Sequence, residues 1–316
     1  MRALITGICG MDGSYLAEFL LKKNYKIFGL SRPIESDENI KHIKDDITIL
    51  RGDLLHSKDI YASMKEADPD EVYNLGAISH VGFSFQQSVL TGDVTGLGVA
   101  RILDAIKSYN PNIRFYQASS SEMFGAVKES PQNEDTPFNP RSPYACAKLY
   151  GYYMTKNYRE EYGMHASNGI MYNHEASRRG LNFVTRKITY GIAQIKAGLK
   201  KELVLGDTST KRDWSYAPEM VEVMWKMLQQ DKPGDYVVGS GEMHTVQEFV
   251  EEAFKVAKLN WKDYLKQDPK LFRVGEVYEL CADASKAKKI LGWKPKVKFK
   301  ELVKIMVDND LKEVRK

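Results

Sequence analysis

In the stretch SPYACAK, Tyr144 and Lys148 stand four residues apart, a spacing that puts both side chains on one face of a helix. A lysine ammonium beside a phenol favours the phenolate, drawing a pKa of about 10 downwards and making the tyrosine a usable general base. Upstream, FYQASSSEMFG ends an apolar run with three hydroxyls and a carboxylate, an unusual density of polar groups where a buried strand gives way to a turn. Ser120 and Glu122 are the two whose chemistry needs explaining. Ser119 and Ser121 fit as partners for backbone groups of the turn. A tyrosine and lysine at this spacing can arise by chance, so the pair carries weight only through its company.

That company includes GICGMDG, with Gly7, Gly10 and Gly13 directly after the first apolar run. Glycines there let a pyrophosphate approach the backbone at a helix N-terminus, whose free N–H groups and dipole favour negative charge. The alternative is an ordinary glycine-rich turn, and Asp12 within it reads equally as a loop brace or as a partner of the helix dipole. The residues after the second strand discriminate cofactors, a carboxylate suiting the ribose 2′-hydroxyl of NAD and an arginine the 2′-phosphate of NADP. Ser31 and Arg32 stand there and the nearest acid is Glu35, which favours NADP over NAD; an exposed surface arginine is the plain alternative. In GDL, Asp53 suits either the adenine amino group or the N-cap of a helix near Ser57.

To hold such residues together the chain needs strands alternating with helices. It reads that way in its first half: strands over Arg2–Thr6, Lys26–Ser31, Ile47–Gly52, Glu71–Leu75, Ile113–Ser119 and Met164–Asn173, with helices starting near Gly13, Ser57, Val89 and Pro143. The implied fold class is α/β, a doubly wound, Rossmann-like parallel sheet with a second, smaller C-terminal α/β lobe. Residues 1–172 are expected to bind the dinucleotide and 173–316 mainly the substrate, with segments of the latter free to return to the first domain. At 316 residues and 43% hydrophobic content a full core is expected. No run of about 18 apolar residues suggests a membrane span, and the start RALITG lacks the look of a leader, so a cytoplasmic location is expected. Three scattered cysteines and six histidines without ligand spacing suggest neither disulfides nor a metal site. Cys146, between Tyr144 and Lys148, reads as a packing residue. With a net charge of +4 and dispersed cations there is no nucleic-acid footprint, and lysine-rich stretches such as AKLNWKDYLK read as solvated helix faces.

Together these motifs resemble the extended short-chain dehydrogenase/reductase family, and within it the GDP-mannose 4,6-dehydratase branch, through ITGICGMDGSYLAEFLL, EVYNLGAISHVGFSF, FYQASSSEMFG, RSPYACAKLYGY, NGIMYNHEASRRGLNFVTRKI and KRDW. The resemblance implies NADP as cofactor and GDP-mannose as the nucleotide-sugar substrate. Tyr144 would take the proton of the sugar 4-hydroxyl as hydride leaves carbon 4. Lys148 would support that step and hold the nicotinamide ribose, so that Tyr144 and Lys148 also count among the cofactor residues; Ser120 would hydrogen-bond the 4-oxygen, and Glu122 would take the carbon 5 proton before water leaves carbon 6. It assigns Gly7, Gly10, Met11, Asp12, Gly13, Arg32, Asp53, Leu54, Leu75, Ala77, Ser79, His174 and Arg179 to the cofactor. Ser84, Asn173, Lys187, Arg212, Arg273 and Glu276 go to the substrate, alongside Ser120, Glu122 and Tyr144. Ser120 stands where threonine is usual, Leu90 where tyrosine is, and Pro33 shortens a loop that reaches a neighbouring subunit in tetramers. A homodimer through residues 89–108 and 143–162, or a homotetramer, is expected. A 4-epimerase or reductase would keep Tyr144 and Lys148 without using Glu122 as an elimination base. A cofactor-sensing regulator would be free to lose the pair.

Overall fold

The computed structural model describes residues 1–272 and 275–315. Seven strands form one parallel sheet: β1 (Arg2–Thr6), β2 (Lys26–Ser31), β3 (Ile47–Arg51), β4 (Glu71–Asn74), β5 (Arg114–Ser120), β6 (Ala166–Met171) and β7 (Asp235–Val238). Their order is β7-β6-β5-β4-β1-β2-β3, so the winding direction reverses between β1 and β4, and a crevice opens beyond their C-terminal ends. The central strands are buried along nearly their whole length because helices cover both faces. On one face α1 (Met11–Leu21) and α6 (Ala217–Leu228) bury Leu16, Leu20, Met220 and Met224 against Ile5 and Ile27. On the other, α2 (Ser57–Ala67) and α3 (Gly98–Tyr109) pack Ile60, Met64, Ile102 and Ile106 on Leu4, Val72 and Phe115. Beside them runs α4 (Pro143–Tyr162). A third core lies away from the sheet, where α5 (Val184–Lys196), α7 (Val246–Ala257) and α8 (Phe299–Glu313) enclose Ile188, Ile192, Phe249, Phe254, Val303 and Met306.

Residues 217–238, in between the segments of that third core, supply α6 and β7 to the sheet. Polar side chains also cross the sheet interior. Thr6 Oγ1 donates to Asn74 Oδ1 at 2.6 Å and Asn74 Nδ2 to Gln117 Oε1 at 2.7 Å, while the amides of Leu75 and Gly76 donate to Thr6 Oγ1. Asn168 Nδ2 donates to Asp235 Oδ1 at 2.8 Å, and Asp235 also pairs with Arg159 at 2.7 Å. Each of these buried side chains has a partner, which removes most of the cost of burying it. This layer ties β1, β4 and β5 together just below the crevice.

Two local expectations change. The stretch AKLNWKDYLK is not a helix face: Lys258 ends α7 with φ 58°, a short turn follows over Trp261–Asp263, and Leu265–Gln267 is a strand. Asn260, whose side chain accepts from Lys262 N, starts that turn and stops the helix from resuming. Cys146 is exposed rather than packed, because it lies off the buried stripe of α4 that carries Tyr144 and Lys148.

Candidate active site

The strand ends and the third core face each other across a cleft of about 1310 Å³. β5 delivers Ser120 to it in extended conformation, and Ser120 Oγ accepts from the amide of Glu122 at 3.2 Å, turning the chain into a short helical turn over Ser121–Met123. Ser120 and Glu122 are each 9% exposed. Opposite, α4 begins with Ser142 accepting from Ala145 N at 3.1 Å and Pro143 in the first turn, a combination that fixes where the helix starts. Tyr144 and Lys148 follow one turn apart and both face the cleft. Lys148 donates to the carbonyl of Ala118 on β5 at 2.7 Å, with its ammonium 5.7 Å from the centre of the Tyr144 ring.

The electrostatics differ from the sequence expectation. Burial pushes the Tyr144 phenol up to about 12, against a hydrogen bond from Ser120, and the Glu122 carboxylate raises it further while Arg179 lowers it. Lys148 is drawn down to about 8 by its own burial, against the attraction of Asp12. Its ammonium is turned to Ala118 O, and the charges that offset the burial of Tyr144 come from elsewhere. The polypeptide alone thus leaves the phenol protonated.

Sequence reasoning did not foresee the ion pairs that line the cleft. His174 donates through Nε2 to Asp12 Oδ2 at 2.8 Å and through Nδ1 to the Tyr172 carbonyl at 2.7 Å, an arrangement that requires the imidazolium. Burial opposes both charges, yet Asp12 holds the histidine above its ordinary pKa and His174, with Arg179, holds the carboxyl of Asp12 below its own. Arg179 in turn donates to Glu175 at 2.7 Å, which also accepts from Thr185 at 2.7 Å. Glu175 lies four residues before Arg179, an i,i+4 acid–base spacing legible in the chain, but Asp12 and His174 are 162 residues apart and nothing local links them. Across the cleft Arg212 pairs with Glu276 at 2.7 Å. Lys187 is partly buried and, beside Lys200, sits below the usual lysine pKa.

Of the residues singled out from sequence, Asp12, Arg32, Leu75, Ala77, Ser79, Asn173, His174, Arg179, Lys187, Arg212 and Glu276 line this cleft with Ser120, Glu122, Tyr144 and Lys148. Gly7, Gly10, Met11 and Gly13 form the loop and first turn beneath it. A Cβ on Gly13 would come within 2.3 Å of the Gly7 carbonyl, so only glycine permits this tight entry into α1. Leu54 is buried in the core beside α2. Asp53 accepts from Leu55 N at 3.0 Å and does not cap α2, whose N-cap is His56. Ser84 is fully buried; its hydroxyl donates to Val81 O at 2.6 Å and accepts from Tyr144 N at 3.2 Å, bracing the first turn of α4 from behind. Arg273 lies outside the described residues. Among the described residues no group of three or more histidine, cysteine, aspartate or glutamate side chains could hold a metal ion, and no helix is long and apolar enough to cross a membrane.

The family model described as GDP-mannose 4,6 dehydratase matches residues 4–306. The chain belongs to that family. It is 50% identical over 323 residues to GDP-mannose 4,6 dehydratase 1 of Arabidopsis thaliana, covering 98% of this chain and 89% of the relative. The Homo sapiens GDP-mannose 4,6 dehydratase is 45% identical over 342 residues, covering 99% and 92%. Among solved structures, the Thermus thermophilus UDP-glucose 4-epimerase in complex with NAD superposes with a TM-score of 0.87 at 26% identity, covering 98% of this chain and 99% of that one. Both an epimerase and the dehydratase family thus share the sheet and its crevice, so the choice of reaction must lie in the cleft's side chains.

Proposed function

We propose that the protein is an NADP-dependent hydro-lyase that converts GDP-mannose to GDP-4-dehydro-6-deoxy-mannose. The observation that carries this reading is Glu122 placed beside Tyr144 in one buried corner, on a chain whose relatives are named for that dehydration. Residues fit for a dinucleotide stand at the crevice. The amides opening α1 have no side-chain cap, and among the described residues Asp12 Oδ1 is a buried acceptor with no hydrogen-bond donor, which a hydroxyl or amide of a bound nucleotide would supply. Arg32 at the end of β2 would take the 2′-phosphate of NADP. When bound, the nicotinamide accepts hydride from carbon 4 of the sugar and returns it to carbon 6.

Tyr144 is the base for the 4-hydroxyl proton, and Ser120, already a donor to its oxygen, steadies the 4-oxygen. A cation brought by the ligand, added to Arg179, stabilises the phenolate, and Lys148, on the same face of α4, holds the nicotinamide ribose. Glu122, on the turn after Ser120, removes the proton at carbon 5 once carbon 4 is a ketone and passes it to the 6-hydroxyl, which leaves as water; a proton from solvent returns to carbon 5 as hydride reaches carbon 6, and Tyr144 releases to solvent the one it took from the 4-hydroxyl. Lys187 and Arg212 are the cations for the diphosphate, Arg212 by exchanging Glu276 for it. Glu276 thereby becomes available to a ribose hydroxyl. A second copy of the chain would cover Val89, Leu97, Tyr150 and Tyr153, which are 41–85% exposed along the 88–109 segment and α4, and a homodimer is the assembly this face suits.

Incubation with GDP-mannose, followed by mass spectrometry of the sugar nucleotide and absorbance at the reduced-nicotinamide band, tests the reaction. Loss of one water with no net change in cofactor is expected. An unchanged mass with inverted carbon 4 would make the protein an epimerase.

A further inference from the structure

At the end of β2 the nearest acid in the chain, Glu35, is folded back onto the strand end. Arg32, Pro33, Ile34 and Glu35 form a tight turn closed by Glu35 N donating to Arg32 O at 3.2 Å, with Pro33 at the position where its fixed φ favours the bend. The turn brings the Glu35 carboxylate between two groups: it accepts from Ser31 Oγ at 3.0 Å and pairs with Arg32 Nε at 2.9 Å. From the end of β3, Arg51 donates through Nη1 to Arg32 O at 3.2 Å, so a second guanidinium stands at the same corner. Arg32 lines the cleft.

We infer that Glu35 sets how strongly this corner prefers NADP to NAD. A carboxylate at the end of β2 suits a ribose 2′-hydroxyl and an arginine a 2′-phosphate; here both occupy one corner, each the other's partner. A 2′-hydroxyl can donate to Glu35 while Arg32 and Ser31 keep the carboxylate in place. A 2′-phosphate must instead take Arg32 from Glu35 and displace the carboxylate, since two anions cannot share the site, and Arg51 then offers a second cation. Because the Arg32 and Glu35 side chains are 46% and 27% exposed, the pair yields at little cost, and the phosphate is admitted rather than barred. The inference rests on the reading of Arg32 as a phosphate ligand.

Fluorescence titration of the nucleotide-stripped protein with NADPH and with NADH gives the two Kd values directly, without turnover. Glu35→Gln keeps the shape of the side chain and removes its charge. It is expected to tighten NADPH about fivefold, the most that an exposed ion pair withholds, and to loosen NADH by a similar factor, with the melting temperature unchanged. A Kd ratio equal to that of wild type overturns the proposal. Arg32→Ala separates this failure from that of the underlying reading: loss of NADPH affinity with NADH retained upholds Arg32 as the phosphate ligand whatever Glu35→Gln does. No change for either cofactor in Arg32→Ala sinks that reading and the proposal with it.

Discussion

Lys148 is 5% exposed, and its ammonium is held in a place that draws its pKa from 10.5 to about 8. That displacement corresponds to on the order of 3 kcal/mol of disfavoured charge. Its carbonyl acceptor on Ala118 has a second donor in Gln117 Nε2 at 2.9 Å, so removing the ammonium strands no polar group. Lys148→Met is therefore expected to raise stability to urea at pH 7, and to abolish turnover because the nicotinamide ribose loses its lysine donor. The unfolded chain keeps the lysine proton up to its ordinary pKa, whereas the folded one releases it above about 8, so wild-type stability climbs between these values and the variant's advantage shrinks over the same window. A variant less stable than wild type at pH 7 would show that the ammonium contributes packing the geometry does not reveal. For Glu122→Gln, nucleotide affinity is expected to stay within about twofold while dehydration falls by a factor of about 10² to 10⁴, the usual contribution of a positioned acid–base group. Normal product formation in that variant would remove Glu122 from the mechanism.

Among the elements, α4 matters most because its first turn sets the height of Tyr144 over the cleft. Ser84→Ala takes away the acceptor for Tyr144 N and is expected to cost about 1 kcal/mol, as loss of a helix cap does. With Ser84 behind the helix, kcat should fall and KM hold; a raised KM with unchanged kcat would mean that the hydroxyl reaches substrate after all. His174 joins α1 to the segment after β6 through Asp12. Its folded pKa is raised, so the pair's contribution is complete below the unfolded histidine value of about 6.5 and is lost as pH rises through the folded one. Denaturation of wild type and His174→Ala across pH 5 to 9 should show the difference in stability narrowing with rising pH, and a constant difference would mean that the pair is not ionic. Elements of this kind were readable where composition changes sharply. The runs RALIT and KIFGLS match β1 and β2 residue for residue, and Pro143 marks the start of α4. β7 was not readable, since DYVV is only four residues long and lies among loops. The polar layer of Thr6, Asn74 and Gln117 was hidden for another reason: Thr6 and Asn74 close their strands and Gln117 lies mid-strand, and only the sheet order brings them together. Glu35 escaped because its place depends on a turn, not on its distance along the chain.

For the molecule as a whole, the residues proposed for catalysis and those proposed for the nucleotide diphosphate rest on different cores. Ser120, Glu122, Tyr144 and Lys148 rest on the sheet, whereas Lys187 belongs to α5 in the third core and Arg212 to the strand segment leading back from it. The apolar face along residues 88–109 and α4 lies on the helix that carries Tyr144 and Lys148. Leu97→Asp, placed where the side chain is 45% exposed, is expected to convert a dimer to a monomer by light scattering, and a wild type that is already monomeric would retire that face as an interface. The site residues of the sheet were legible because their motifs are local; the salt links across the cleft were not, because the partners come from distant parts of the chain. The late arrival of β7 bears on synthesis. Its sheet neighbour β6 ends at Met171, but β7 begins only at Asp235, after α5, the cleft strands and α6 have been made. Until then β6 is an exposed parallel edge, with Asn168 short of Asp235, the acceptor of one of its hydrogen bonds. A chain halted between those two points would hold an unfinished sheet, with the edge of β6 open to any other strand.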